Sequence, residues 1–256
     1  MSELPPFLRP LARDLCSGPA DSRASRFLRR PDPAAVPTSA ASPAPASAVL
    51  ALICGPTLET ASLIIEERAH SMRSQPGQFA LPGGRVDPGD PSRLFAALRE
   101  AREEIGLDVA AEHGAHRGLT VLGAFAPVQM PARAMEVTPV VAWHPSAAAD
   151  LLPTLTPSPA EVERIIAPAL VGPGSLTDPA VPTRARAGRI DVGIAFDLPI
   201  EPEDPDDDAF VWGFTAALIA GLLTRIVPGF DGAVHERVAQ VPHTRLLGER
   251  KPRGSG

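Results

Sequence analysis

The sequence predicts an α/β (α+β) fold, a mixed β-sheet with helices packed on both of its sides. Three observations carry this expectation. Segments with the β-branched and apolar content of strands outnumber helical ones. The two kinds are interspersed along the chain rather than segregated. And 256 residues, 44% hydrophobic and 21% charged, are enough to bury a core in one large domain or two small ones.

The chain opens on a short candidate helix, PPFLRPLARDLC, followed by RRPDPAAVPTSAASPAPASA, which has the Pro, Ala and Ser content of a linker. Residues 1–47 are therefore expected to form an N-terminal helix and linker. AVLALIC (48–54) and ASLIIEER (61–68) read as strands joined by the turn GPTLET. The next stretch, SMRSQPGQFALPGGRVDPGD, is rich in turn formers and leaves room only for a short strand. A helix follows, with Asp90 as N-cap, Pro91 in its first turn and Gly106 as its stop. LTVLGAFAPV and MEVTPVVAWH are strand-like, SPAEVERII reads as a short helix capped by Ser158, and RIDVGIAFDL alternates as a strand does. The acidic run EPEDPDDD precedes an apolar helix over 209–226, as suits a helix N-terminus. Its apolar stretch AFVWGFTAALIAGLL is too short to cross a bilayer comfortably and reads as a buried helix. The main domain is expected over 48–228, with a polar, frayed tail over 229–256. There is no internal repeat.

A net charge of -6 argues against a general nucleic-acid binder, and no membrane segment is expected. Lys251 is the only lysine; the abundance of Arg beside Ala and Pro is read as compositional bias, with function reserved for individual arginines. The N-terminus lacks a basic region followed by an apolar run. Cys16 and Cys54 lie far apart and form no C-x-x-C pair, so reduced thiols in a cytoplasmic protein are expected, with a disulfide left open.

The helix that follows LPGGRVDPGD carries the chemistry. At about 100° per residue, Glu100, Glu103 and Glu104 share one face, and Leu94, Leu98, Ala101 and Ile105 form an apolar stripe on the other. A solvated face is one account, supported by the i,i+4 pair of Arg99 with Glu103. A site for a hard divalent cation is the other, because the like charges Glu100 and Glu104 also stand at i,i+4 with no lysine near them. Gly83 and Gly84 allow a close backbone approach to a ligand, and a loop of this kind leading into a helix N-terminus can hold an anion.

Gly84 followed by REAREEIGL resembles the signature of the Nudix hydrolase family, G-x5-E-x7-R-E-U-x-E-E-x-G-U, where U is aliphatic. Two features depart from it: Asp90 replaces the first Glu, and eight residues rather than seven separate it from Arg99. Both are similar to the coenzyme A pyrophosphatase branch, with its G-G-x-x-D-P-x-D and its one-residue insertion. IIEERAHSMRSQPGQFALPGG resembles that branch's upstream motif through Arg68, Gly77, Gln78 and Pro-Gly-Gly, though Glu66 stands where the motif has Thr and Leu81 where it has Phe. VTPVVAW and VWGFTAALIAGLL extend the likeness to residue 226.

The resemblance implies a Nudix-type mixed sheet between helices and the hydrolysis of a diphosphate linked to another group. In this branch that means coenzyme A or acyl-CoA cut to 3',5'-ADP and 4'-phosphopantetheine or its derivative, with Mg²⁺ or Mn²⁺ as cofactor. By position, Glu100, Glu103 and Glu104 would hold the metal, with Glu103 direct or through water, and Glu100, Glu103 and Arg99 would be catalytic. Arg68, Arg85, Gly83 and Gly84 would bind substrate. Candidates for the general base are Glu100, Glu103, Glu161 and Glu163; Arg73 and His70 are further candidates for substrate contact, and Trp212 and Phe214 read as core. Alternatives are the same chemistry on ADP-ribose, a dinucleotide or a nucleoside triphosphate, and a non-catalytic nucleotide-binding regulatory module. The expected partner is a small-molecule diphosphate; a homodimer stays open.

Overall fold

Strand β1 (Ala46–Cys54) is apolar on both faces because it lies between two cores. Ala48, Leu50, Leu52 and Cys54 turn to one side, and Ala51 and Ile53 to the other, as the two-residue period of a strand requires. The computed structural model describes residues 3–17, 45–108, 118–130, 135–187, 190–198, 209–232 and 238–240. Most of the Pro-rich stretch, the acidic run EPEDPDDD and the end of the tail, TRLLGERKPRGSG, lie outside them.

The elements in order are α1 (Arg9–Ser17), β1, β2 (Ser62–Leu63), β3 (Ile65–Arg68), β4 (Phe79–Ala80), β5 (Gly83–Arg85), α2 (Arg93–Ile105), β6 (Thr120–Ala124), β7 (Val128–Met130) and β8 (Met135–His144). After these come α3 (Ala148–Leu151), β9 (Val162–Ile166), β10 (Pro182–Ala187), β11 (Ile190–Asp197), β12 (Phe210–Trp212), α4 (Gly213–Ile226) and β13 (Val238–Gln240). A six-stranded sheet runs β2-β1-β8-β6, with β5 also on β1 and β7 also on β8. It is mixed: β1 and β8 are parallel from Ala46↔Glu136 to Cys54↔His144, while the other pairs in it are antiparallel. A parallel pair needs a long crossover, and α2 lies within it. Two smaller sheets, β4-β3-β9 and β12-β11-β10-β13, complete the architecture.

One core joins β1 and β8 to α2 through Ala97, Leu98, Ala101 and Ile105 with Leu50, Leu52, Val140 and Ala142. The other joins Ile53, Val141 and Trp143 to Leu8, just before α1, to Leu11 of α1 and to Ile219, Leu222 and Leu223 of α4. The expectation of helices on both sides of a mixed sheet is met.

Several local expectations are corrected. The strand over 61–68 is two strands, since Ser62–Leu63 pair with β1 whereas Ile65–Arg68 pair with β4 and β9, and Ile64 carries the chain from one sheet to the next. SPAEVERII is not a helix: Ser158 closes a turn and VERII runs antiparallel to β3, where its β-branched residues gain a ladder that a single helical turn could not match. The apolar helix begins at Gly213, because Phe210–Trp212 first pair with β11. The N-cap of α2 is Ser92, whose Oγ accepts from the Phe95 N–H at 3.2 Å, and Leu94 is exposed rather than part of the buried stripe. Gly106 ends α2 in the left-handed conformation, as expected.

Candidate active site

The Gly loop and α2 meet through backbone. On β5, Gly83 and Gly84 pair with Val49 and Ala48 of β1, which lays the loop across the start of the central strand. A Cβ at Gly83 would collide with the Ala48 carbonyl oxygen. At Gly84 it would lie 2.5 Å from the Glu100 carboxyl carbon. Each glycine thus answers a different close approach, one to β1 and one to the acidic helix. The Gly83 N–H donates to Glu104 Oε2 at 2.7 Å, pinning the buried carboxylate beneath the loop.

Three carboxylates converge here. Glu104 is 4% exposed and Glu66, on β3, is 0% exposed. The Glu100 side chain is 15% exposed. Burial pushes the Glu104 carboxyl up to about 7; the Gly83 N–H opposes this, and the Glu100 and Glu161 charges add to it. Burial and then the Glu104 charge hold Glu66 well above the usual carboxylate range, against the pull of Arg68. Glu100 is also raised by burial, with Arg99 opposing. These are the directions expected of acids withdrawn from water without enough cationic charge beside them.

The outer side of α2 differs. Arg99 Nε and Nη2 donate to the two oxygens of Asp90 at 3.0 Å each, and Nη2 also donates to the Arg85 carbonyl at 2.9 Å. Its Nη1 lies 3.1 Å from Glu100 and 3.0 Å from Glu103. The Arg99 hydrogen bonds hold the Asp90 carboxyl below its ordinary range. Asp90, read from sequence as a helix cap, is instead the partner that fixes Arg99. The turn Asp87–Asp90, closed by the Asp90 N–H to the Asp87 carbonyl, sets its position.

The sequence-derived residues therefore divide. Glu100, Glu104, Gly83 and Gly84 come together, and Arg68 joins them half-buried from β3, with its Nη1 4.0 Å from Glu66. Glu103 does not point inward: its side chain is 55% exposed and engaged by Arg99. Arg85 and Arg73 are exposed. Glu161 is half-buried and acts electrostatically on Glu66, Glu100 and Glu104, whereas Glu163 is exposed on β9. His70 is exposed, 3.5 Å from Glu67. Phe214 packs against the core and Trp212 is half-buried. Sequence reasoning missed Glu66, which it treated only as a departure from a motif. Its place in the run LIIEE marks it as a candidate for burial, though not the groups that it would meet there.

Among the described residues, no group of three or more His, Cys, Asp or Glu side chains stands arranged to hold a metal ion. The donor set nevertheless fits a hydrated hard cation. All the inward groups are carboxylates, both Glu66 oxygens are buried without a hydrogen-bond partner, and Mg²⁺ keeps several of its waters rather than requiring a full protein cage.

Comparison with known proteins agrees with this geometry. A family model for the NUDIX domain matches residues 44–178, slightly more than half of the chain. An uncharacterized Nudix hydrolase NudL of Yersinia enterocolitica is 34% identical over 122 residues, covering 47% of this chain and 55% of that protein. A NudL protein of Yersinia pestis (strain Pestoides F) is 36% identical over 101 residues, covering 40% and 45%. The chain spans about half the length of the curated relatives it matches. Among solved structures, RenU, a Nudix hydrolase from M. smegmatis, aligns with a TM-score of 0.38 at 25% identity, over 49% of this chain and 70% of that one. With its Gly loop, its acidic helix and the family match over both, the chain belongs to the NUDIX domain family.

Proposed function

We propose that the protein is a metal-dependent hydrolase of a nucleoside diphosphate-linked substrate, and that the substrate is coenzyme A or an acyl-CoA, cleaved to 3',5'-ADP and 4'-phosphopantetheine or its acyl derivative. The observation that carries the hydrolytic reading is the group of inward carboxylates under the Gly loop, with too little cationic charge beside it. Coenzyme A is supported by GQFALPGG, by Gly83-Gly84-x-x-Asp87-Pro88-x-Asp90, and by the extra residue before Arg99.

In this reading Glu100 and Glu104 hold Mg²⁺ or Mn²⁺, and Glu103, kept at the exposed rim by Arg99, contributes through water. Such a cation would supply positive charge for the diphosphate oxygens and would make water a stronger nucleophile. The chain's own residues do the rest. Arg99 holds Glu100 in place while itself gripped by Asp90. Arg68, whose buried Nε has no hydrogen-bond partner, offers that donor to a phosphate oxygen. Gly83 and Gly84 let the phosphates approach the backbone, Arg85 stands at the exposed rim, and half-buried Glu161, whose charge acts on Glu100, is the acid that would take the proton of the attacking water.

A second reading, the same hydrolysis of ADP-ribose, a dinucleotide or a nucleoside triphosphate, is favoured by Leu81 and Glu66, which depart from the coenzyme A motif. A product assay over such a panel, with and without Mg²⁺ or Mn²⁺, separates the two. Release of 3',5'-ADP from coenzyme A only when metal is present is the expected result. Turnover of ADP-ribose but not of coenzyme A would overturn the substrate assignment and leave the chemistry standing. Metal binding with no turnover of any diphosphate would favour a regulatory module.

A further inference from the structure

Two consecutive glutamates on β3 are both buried, yet among the described residues only the carboxylate of Glu67 accepts a hydrogen bond. Glu67 accepts from Arg164 Nε across the β3–β9 pair, and His70 stands 3.5 Å away. Glu66 points to the opposite side of the strand, as alternation demands. It is 0% exposed; among the described residues neither of its oxygens has a hydrogen-bond partner, and Arg68, the cation paired with it, stands 4.0 Å away. Its acidic neighbours are Glu104, Glu161 and Glu100. A buried carboxylate left without donors is destabilising, and this fold shows at Glu67, one residue away, that it can supply an arginine where a carboxylate is to be neutralised internally. The buried oxygens of Glu66, without a hydrogen bond, feel the charge of the helix carboxylates Glu104 and Glu100.

We propose that Glu66 is a ligand of the cation held by Glu100 and Glu104, so that β3 supplies a third buried carboxylate from outside the acidic helix. The assignment rests on the metal-dependent hydrolysis proposed above. It gives Glu66 a positive role at the position where the coenzyme A motif carries Thr. It also ties the sheet β4-β3-β9 to α2 through the ion, since the strand and the helix would then share a ligand sphere.

Calorimetric titration of the full chain with Mn²⁺, beside thermal melts, tests this without an activity readout. Glu66→Gln keeps the shape and removes the charge. It should weaken Mn²⁺ binding by about tenfold or more, as expected when a site loses one charged ligand, while the metal-free melt holds or rises. Unchanged Mn²⁺ affinity in Glu66→Gln would overturn the assignment. If that variant fails to fold, Glu66→Thr is read by the same titration with the same two outcomes. Glu104→Gln separates the two levels. Lost binding there with full binding in Glu66→Gln sinks only the third ligand. Wild-type binding in Glu104→Gln, or no Mn²⁺ binding by the wild type, sinks the metal reading beneath it as well.

Discussion

On the outer side of α2, Arg99 gathers Asp90, Glu100 and Glu103 within 3.1 Å, and the Asp90 carboxyl is held low as a result. On the inner side, Glu104 receives one backbone N–H and, among the described residues, no salt bridge, and its carboxyl is pushed up to about 7. An arginine of this helix thus compensates one group of acids while Glu104, no more than about one turn from Glu100 and Glu103, is left in deficit. Burial explains the rise at Glu104 and the Arg99 hydrogen bonds explain the fall at Asp90, but neither says why an arginine grips the outer acids while Arg68 makes no salt bridge to Glu104. A compensated cluster holds geometry; an uncompensated buried one is poised for a ligand of opposite charge. Substitutions on the two sides should therefore separate activity from stability.

The largest effect is expected at Glu104. Glu104→Gln should lower kcat by about 10²–10³-fold, the scale on which removing one preorganised electrostatic group acts, with the metal-free melting temperature unchanged or higher because a neutral amide replaces a buried acid. Steady-state kinetics beside a melt checks both halves. Wild-type turnover would place the inner acids among ordinary buried side chains and erase the contrast.

The pH dependence of stability should have opposite signs on the two sides. Glu104 has a folded-state value of about 7, above its unfolded one near 4.5. Between those values the folded state holds more protons, so the metal-free protein loses stability as pH rises through that window. Asp90 is held low in the fold, so its contribution is present above its unfolded value of about 4 and is lost as pH falls through the folded one. Melts of metal-free protein should therefore drop between about pH 5 and pH 8, and Glu104→Gln should flatten that drop. Saturating Mn²⁺ should restore the loss at the alkaline end. A wild-type melt that rises steadily to pH 8 without metal would contradict the charge deficit.

Asp90→Asn probes the compensated side. It removes a charged acceptor that takes two hydrogen bonds from Arg99 and should cost about 1–3 kcal/mol of stability. Its effect on rate should be smaller than that of Glu104→Gln, because it acts only through the aim of Arg99 and Glu100. Denaturant unfolding measures the first and kcat the second; a stable variant as inactive as Glu104→Gln would move Asp90 to the inner cluster.

How far the sequence spoke for itself follows the same division. Alternation and β-branching located β1, β8 and β11, and the glycine loop with the three-glutamate spacing located α2 and its chemistry. Helical geometry alone put Glu100, Glu103 and Glu104 on one face, yet an arc that wide spans both buried and wet positions, and only the packing of β1 and β5 against the helix divides it. Glu66 and Asp90 were misjudged for a related reason. Their roles depend on what a distant segment brings to them, α2 in both cases, and local pattern carries no record of that. The VERII strand went unseen because its ladder partner lies almost a hundred residues upstream on β3.

The smallest effect is expected at Glu103, where the two faces meet. Its carboxylate is 55% exposed and shares Arg99 with Asp90 and Glu100, so the arginine keeps its fork when Glu103 is neutralised. An exposed i,i+4 pair of this kind contributes within about 0.5 kcal/mol. Glu103→Gln should accordingly leave the melt almost unchanged. If Glu103 serves the cation only through water, kcat should fall by no more than about tenfold, the lower end for outer-sphere partners. The comparison with Glu104→Gln is what matters: adjacent glutamates on one helix would then differ by at least an order of magnitude in rate. Equal losses would mean that Glu103 swings inward when metal binds, and that Arg99 releases it to do so.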